Sequence, residues 1–432
     1  MAKNNNTILS QVREGINDMC YIWKEEMKLT VRDEGVLIFF ILVPILYPLL
    51  YSWVYNNELI RDTPVAVVDM SHSKTSRELI RELDATPDID VAYSATSIED
   101  AKTLMAKEKT YGTIYFPEDF ETKLFRKEQA HLSLFLDMSY MLYYKGIYMA
   151  TNKVIGDYNS DIQLSMSKNF TNRDDEMTTN PMKVSSVPIF NTTGGYGNFI
   201  IPGVLMLVIQ QTLLLGIGLQ AGTERERNKF HDLVPISRHY NGVLRIVLGK
   251  SMCFFMIYAI MTAWVTGIVP NIFNFIHLVH PLDLTLFMIP YVLAVIFFAM
   301  CLSCRMKYRE NVIMLVVFTS VVFLFASGVS WPQSNIPTFW NIMAGIIPST
   351  WGIRGFIRMN SMGAELGDVL PEYHALWIQV FVYFFITCIL YRQQIILSRK
   401  HVLKRYNMMK IRNKVSEKND EDIENDHYSD NQ

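Results

Sequence analysis

The amino-acid sequence predicts an α-helical polytopic membrane protein with six transmembrane helices and an inserted α/β extracytoplasmic domain. Half of the 432 residues are hydrophobic and 19% are charged, whereas soluble proteins carry about 25% charged residues. Six stretches lack Asp, Glu, Lys and Arg over lengths that can cross a bilayer, and residues 57–195 return to a soluble composition. Lys and Arg (40) nearly balance Asp and Glu (42), which excludes a basic nucleic-acid-binding protein.

The charge-free stretches predict the positions of the spans. A transmembrane helix needs about 17–25 predominantly apolar residues, and the last stretch is the shortest of the six. The stretches cover residues 36–55, 199–219, 251–269, 284–304, 312–330 and 376–391. We expect the first to be a retained anchor, because a long polar segment precedes it and no small-residue cleavage site follows Tyr55.

Basic residues predict which side of the membrane each connection faces. If the N-terminus lies inside, the connections on that side hold 23 Lys and Arg residues, and the short loops on the other side hold only Arg354 and Arg358. Short loops rich in Lys and Arg remain in the cytoplasm. The sequence therefore predicts both termini in the cytoplasm and residues 56–196 outside it.

The segment between the first two spans predicts a small domain of alternating strands and helices. Strands are predicted at 64–69, 89–93, 112–116 and 131–137, and helices at 73–83, from Ser97, and at 139–169. Asp69, His131 and Asp137 lie in or after these strands, but no catalytic spacing such as G-x-S-x-G or H-E-x-x-H accompanies them. Isolated acids after strands are typical of turns and helix caps, so we expect no enzyme.

The sequence also argues against transport driven by an ion gradient, against a membrane enzyme and against ATP binding by this chain. Transporters driven by ion gradients place Asp, Glu, His or Lys inside spans, and a membrane enzyme would need a buried charged cluster; neither is predicted here. Gly249-Lys250-Ser251 matches the end of a phosphate-binding loop, but the glycine required five residues earlier is Leu244. A nucleotide-binding partner would therefore be a separate chain.

Residues 221–249, which connect the second and third spans, are a candidate contact with such a partner. A charged helical turn is followed by apolar side chains and Pro235; the candidate coupling residues are Glu224, Arg225, Glu226, Arg227, Phe230 and Leu233. A short helix of this kind can insert apolar side chains into a partner's groove. A solvated loop with anchors at the membrane interface fits the pattern equally.

The N-terminal segment, residues 1–35, is a second candidate. Apolar Trp23 and Met27 alternate with charged residues up to Arg32 and Asp33, directly before the first span. This spacing predicts an amphipathic helix along the membrane surface. An ordinary interfacial anchor is equally compatible with it.

Two further segments flank the last span. Residues 331–373 hold Trp331, Trp340 and Trp351 around an apolar stretch that is too short to cross a bilayer, which predicts a re-entrant or interfacial hairpin on the outer face. Residues 396–432 end in an acidic run and are predicted to form a disordered cytoplasmic tail.

Together these features resemble the permease subunit of ABC type-2 exporters, in the branch with a large external domain after the first span. The resemblance covers residues 20–395. It rests on Arg32-Asp33, the 115–120 segment YFPEDF, Pro202-Gly203, the 224–237 loop with Gly249-Lys250, Asn335-Ile336-Pro337 and Ile347-Pro348. One departure is Asn228-Lys229-Phe230, where the family usually has Gly-Thr; here Gly222-Thr223 precedes the charges instead.

The resemblance implies export powered by partner chains. Two ATP-binding-cassette ATPase subunits would dock on the cytoplasmic side and bind ATP and Mg, so this chain would hold no cofactor or metal. A second permease chain, identical or different, would join residues 36–55 and 197–395 in forming the pathway across the inner membrane. The substrate would be hydrophobic or amphipathic, and a periplasmic adaptor and an outer-membrane channel are further candidate partners. The alternative is a non-transporting receptor or anchor whose external domain binds an envelope partner.

Overall fold

The computed structural model divides the chain into two compact units. The described residues are 8–56, 59–166, 171–179, 189–192, 195–228, 232–235, 239–240 and 242–429. The membrane unit combines Met1–Asn56 with Ile189–Gln432, and the inserted unit is Asn57–Pro188. The inserted unit therefore follows the first predicted span and precedes the second.

Among the described residues, six helices of the membrane unit are long and apolar enough to cross a membrane. Helix α1 (Ile8–Arg32) precedes them. The first span joins α2 (Glu34–Leu37) to α3 (Val43–Val54), the second is α9 (Tyr196–Arg227), the third joins α10 (Val243–Ala263) to α11 (Val269–Ile272), and the last three are α12 (Pro281–Ser303), α13 (Arg309–Ala326) and α16 (Leu370–Ser429). The prediction of six spanning helices is confirmed.

Two spans contain a π-helical turn, at Ile38–Leu42 and at Trp264–Ile268. Each turn directly precedes a Val-Pro pair, Val43-Pro44 or Val269-Pro270. Proline lacks an N–H group, and in a regular helix its ring collides with the carbonyl four residues earlier. The wider turn relieves this collision while the helix continues.

Helix α9 lies at the centre of the membrane unit, with 78% of its most apolar window buried. A Cβ atom on Gly216 would lie 2.1 Å from the Phe40 ring, and one on Gly218 would lie 2.3 Å from Val312. Because no side chain tolerates such distances, the close approach of the first and fifth spans at these two positions requires glycine in α9. The corresponding windows of the first, fifth and sixth spans are only 28%, 17% and 28% buried, so much of their apolar surface faces outward.

The inserted unit contains a four-stranded sheet in the order β2-β1-β3-β4. Its strands are β1 (Thr63–Asp69), β2 (Ile89–Ser94), β3 (Gly112–Phe116) and β4 (Ser133–Leu136), and its helices are α4 (Lys74–Asp84), α5 (Ile98–Ala106), α6 (Phe120–Phe125), α7 (Met141–Met166) and α8 (Asn172–Thr179). Strand β1 is parallel to β2 and β3, and β4 is antiparallel to β3. All four predicted strands occur, and β4 is shorter than predicted because it pairs with β3 only from Ser133 to Leu136.

Strand β1 is buried on both faces, as expected for a central parallel strand. Val65 and Val67 contact one apolar cluster, and Ala66 and Val68 contact another. At the end of this strand, the Asp69 carboxylate accepts hydrogen bonds from the backbone N–H groups of Ser71 and His72, both at 3.0 Å. Asp69 therefore stabilises a turn, in agreement with its interpretation from the sequence.

The segment at 331–373 folds mainly into two helices, α14 (Thr338–Gly345) and α15 (Pro348–Met362). Neither helix reaches the length of a span. Much of α15 is buried, whereas Trp331 and Trp340 are 56% and 59% exposed. The chain therefore forms a short helical hairpin between the fifth and sixth spans.

Helix α16 corrects the prediction of a disordered tail at 396–432, because the helix continues to Ser429. The sequence holds no proline or glycine between Glu372 and Ser429. Lys, Arg, Met and Leu, which favour helix, are frequent after the last span. A charged composition that is compatible with disorder thus also suits an extension of the last helix.

Candidate functional site

Three buried charges meet between α1, α9 and α10. The Lys250 ammonium lies 2.6 and 2.8 Å from the two carboxylate oxygens of Glu224 and 2.6 Å from Oε1 of Glu26. The Lys250, Glu224 and Glu26 side chains are 4%, 9% and 1% exposed. We call these three residues the buried ion cluster. Because buried charges require partners, both carboxylates depend on the same lysine.

Two uncharged side chains complete the hydrogen bonding of this cluster. Gln220 Nε2 donates to Glu26 Oε2 at 2.6 Å, and the Thr30 hydroxyl donates to Gln220 Oε1 at 2.9 Å. Ile22, Glu26 and Thr30 are all buried, and their spacing of four residues places them on one face of α1. Helix α1 is therefore attached to α9 by polar as well as apolar contacts.

Asp33 forms a second polar junction, where α1 meets the first span. Its carboxylate caps α2 by accepting hydrogen bonds from the N–H groups of Gly35 and Val36. The Thr223 hydroxyl donates to Oδ2 at 2.6 Å, and the Arg309 guanidinium donates to Oδ1 at 3.0 Å. Burial alone would raise the pKa of Asp33, but these hydrogen bonds and the Arg309 charge hold the pKa below its ordinary value of 3.8. The carboxylate is therefore ionised at neutral pH.

Arg225 and Leu233 are buried within the membrane unit. The Arg225 guanidinium donates to the backbone oxygen of Cys304 at 2.5 Å, at the end of α12. Leu233 lies in the apolar core, and the adjacent Asp232 pairs with His401 of α16 at 3.0 Å. The described part of this connection thus contacts the fourth and sixth spans.

Four other candidate residues meet at the surface. Arg32, Asp33, Glu226 and Arg227 line an open recess of about 590 Å³ together with Arg309. Arg32, Glu226 and Arg227 are exposed. We call this the surface recess. It adjoins the buried ion cluster along α9, where Glu224 is buried and Glu226 is exposed.

The remaining candidates lie elsewhere. Trp23 and Met27 are half-buried and pack against the core of the membrane unit, and Phe230 lies outside the described residues. Ile22, also on α1, lies so close to α10 that a Cβ on Gly249 would meet it at 3.0 Å. Helix α1 therefore contacts protein along one side, which its amphipathic pattern alone does not distinguish from contact with lipid.

The residues that hold the site together are not evident from the sequence: Glu26, Gln220, Thr223, Lys250 and Arg309. The structure extends α9 past the predicted span end at residue 219 and begins α10 before residue 251, by two turns each. The prediction that no buried charged cluster occurs is wrong for these extensions. One local signal exists, since Glu26 lies at helical spacing from the apolar Ile22.

The described residues of the site hold helices together through ion pairs, hydrogen bonds and apolar contacts. Gly249-Lys250-Ser251 lies inside α10 instead of at a strand-to-helix turn, and Lys250 is engaged by two carboxylates. Within the described ranges, no three His, Cys, Asp or Glu side chains are grouped to hold a metal ion. The arrangement is suited to pass a displacement from the surface recess to several spans.

Comparison with known proteins agrees with this architecture. The family model described as ABC-2 family transporter protein matches residues 35–389, from the start of the first span into the sixth. The comparison with curated proteins gave no match. The family match and the six apolar helices make the chain a multi-pass membrane protein. The chain belongs to the ABC-2 family of transporter proteins.

Proposed function

We propose that the chain is the permease subunit of an ABC exporter whose energy comes from separate ATPase subunits. The family is a membrane component without an ATPase domain of its own. The observation that carries the proposal is the position of exposed Glu226 and Arg227 next to Glu224, which is buried and bound to Lys250. An ATPase docked at the surface recess would displace the end of α9, and the buried ion cluster would transmit this displacement to α1 and α10.

The candidate residues then divide into two roles. Arg32, Glu226 and Arg227 contact the ATPase, since they are exposed and line the surface recess, and Asp33 holds Arg309 beside them. The buried and half-buried residues hold the end of α9, the connection that follows it and α1 against the spans: Glu224, Arg225, Leu233, Trp23 and Met27. A contact of Phe230 with the ATPase remains a prediction from the sequence.

Two permease chains, identical or different, and two ATPase subunits make up the proposed exporter. The outward apolar surfaces of the first, fifth and sixth spans leave room for lipid and for a second permease. The distribution of Lys and Arg supports cytoplasmic termini in the inner membrane, which puts the recess on the side where ATP and Mg would bind the ATPases. The substrate is hydrophobic or amphipathic and leaves outward, and the inserted unit would meet a periplasmic adaptor and an outer-membrane channel.

Affinity purification of the full chain in mild detergent tests this function. The Glu226→Ala, Arg227→Ala pair removes two exposed charges from the surface recess and should abolish co-purification of an ATPase. A matched control, Glu99→Ala with Lys102→Ala, removes an exposed acid and an exposed base from α5 of the inserted unit and should retain the ATPase. A wild-type chain that is stable in several detergents but brings down no ATPase would contradict the proposal and favour a receptor or anchor.

A further inference from the structure

A second cavity, of about 420 Å³, lies where α9, α12 and α16 meet the connection between the fourth and fifth spans. Its charged and polar lining includes Arg225, Asp232, Arg305, Lys307, Tyr308 and His401. It shares no lining residue with the surface recess. This cavity has no role in the proposed docking of the ATPase.

Positive charge is in excess in this cavity. Among the described residues that line the cavity, Arg225, Arg305 and Lys307 face one acidic side chain, Asp232, which is itself 3.0 Å from His401. The C-terminal ends of α9 and α12 add partial negative charges of about half a unit each. Three cations still exceed these contributions, so the cavity favours an anion.

Arg225 supplies a buried donor to this anion site. The residue is 6% exposed, and one guanidinium nitrogen donates to the Cys304 carbonyl oxygen at 2.5 Å. The side chain lines the cavity, and within the described part of the chain its guanidinium makes this one hydrogen bond. A guanidinium carries five donors in a rigid fork, and a buried donor left unpaired is costly. Arg225 is thus held in place by one contact and retains donors for a ligand.

The mouth of the cavity indicates the chemistry of that ligand. Arg305, Lys307 and Tyr308 are exposed, so they can approach a charged group from the aqueous side. Leu397 also lines the cavity and is 45% exposed, as is the neighbouring Ile396 at 46%. Arg binds phosphate oxygens through paired hydrogen bonds, and the exposed leucine and isoleucine suit an apolar chain beside it.

We propose that this cavity binds a phosphate group, which an anionic lipid head group or a free phosphate anion can supply. Arg225 forms the floor of the site, and Arg305 and Lys307 close it from the aqueous side. The apolar surface at Leu397 favours the lipid as the source. Because every ligand-binding residue belongs to this chain, the site does not depend on an ATPase partner.

Lipid binding to the purified full chain, measured by native mass spectrometry, tests the proposal. Phosphatidylglycerol is the anionic probe, phosphatidylcholine the zwitterionic comparison, and inorganic phosphate the free anion. The Arg305→Gln, Lys307→Gln pair leaves buried Arg225 in place, so folding should be preserved. Phosphatidylglycerol affinity should fall about fivefold for each cation removed, or about 25-fold for the pair, with phosphatidylcholine binding unchanged.

The control variant Lys24→Gln, Arg392→Gln removes the same charge from exposed positions that do not line the cavity. It should bind phosphatidylglycerol as the wild type does; an equal loss in this control would show general electrostatic attraction and overturn the proposal. Displacement of the lipid from the wild type by inorganic phosphate would support the phosphate site. If the Arg305→Gln, Lys307→Gln variant binds lipid and phosphate as the wild type does but loses its co-purifying ATPase, the proposal is overturned. The cavity would then be a protein docking surface instead.

Discussion

Replacing Lys250 with methionine should destabilise the chain by about 3–5 kcal/mol, the usual effect of removing one partner from a buried ion pair. Methionine fills a similar volume, so packing changes contribute little. The loss is electrostatic, because Glu26 and Glu224 both lie 2.6 Å from the ammonium and are 1% and 9% exposed. Without Lys250 two buried carboxylates would face one another with no counter-charge.

Thermal unfolding of the purified chain in detergent, followed by tryptophan fluorescence, measures this effect. Lys250→Arg keeps the charge and should unfold at a temperature between those of the wild type and Lys250→Met. The triple variant Glu26→Gln, Glu224→Gln, Lys250→Met removes all three charges and should recover most of the stability, since replacing a whole buried ion pair is often neutral. A Lys250→Met chain that unfolds at the wild-type temperature, or a triple variant no more stable than the single one, would refute the reasoning.

Three further predictions concern packing, pH and helix capping. Gly216→Ala would place a Cβ 2.1 Å from the Phe40 ring and should cost about 1–3 kcal/mol, whereas Gly267→Ala, with no atom within 4 Å, should unfold like the wild type in the same measurement. The pKa of Asp33 is lowered, so its stabilising contribution is complete above the ordinary value of 3.8 and is lost as pH falls below that value; Asp33→Asn should reduce the acid sensitivity of unfolding. Ser97 caps α5 by accepting the N–H of residue 100, and Ser97→Ala should cost about 1 kcal/mol and speed amide hydrogen exchange in α5.

Each of these three expectations has a clear contrary result. Equal unfolding temperatures for Gly216→Ala and Gly267→Ala would show that α9 tolerates a larger separation from the first span. An Asp33→Asn chain with the wild-type pH profile would show that this carboxylate does not stabilise the fold. Unchanged exchange in α5 after Ser97→Ala would show that the cap contributes nothing measurable.

The spans could be predicted from the sequence because a helix in lipid must satisfy its own backbone and present apolar side chains. The ends of these helices could not be predicted in the same way. Glu224 and Arg225 in α9 and Lys250 in α10 lie beyond the predicted span ends, and they remain helical and buried because neighbouring helices cover them. Local composition does not report such cover, which is a tertiary effect. The tail is a different case, because its helix-favouring Lys, Arg and Met residues continue α16 and their charged composition is equally typical of disorder.

The strands of the inserted unit could also be predicted, since 64–69 is a β-branched apolar run of a kind that favours a buried strand. The sheet order and the antiparallel direction of β4 have no such local signal.

The candidate site could be predicted from the sequence only in part, for a related reason. Exposed charges such as Glu226 are visible as a local pattern. The bond between Glu26 and Gln220 joins residues 194 positions apart, and no sequence spacing predicts it.

ATP hydrolysis by the complex of this chain with its ATPase tests the central proposal most directly. Glu224→Gln removes the negative charge that pairs α9 with Lys250 of α10, but Lys250 keeps its 2.6 Å contact with Glu26, so the chain should fold and still bind the ATPase at the surface recess. If the buried ion cluster couples the ATPase to the spans, hydrolysis should fall by about tenfold or more, equivalent to ~1.4 kcal/mol, at an unchanged subunit ratio. A Glu224→Gln complex of the same composition that hydrolyses ATP at the wild-type rate would contradict the proposal and leave the cluster a purely structural ion pair.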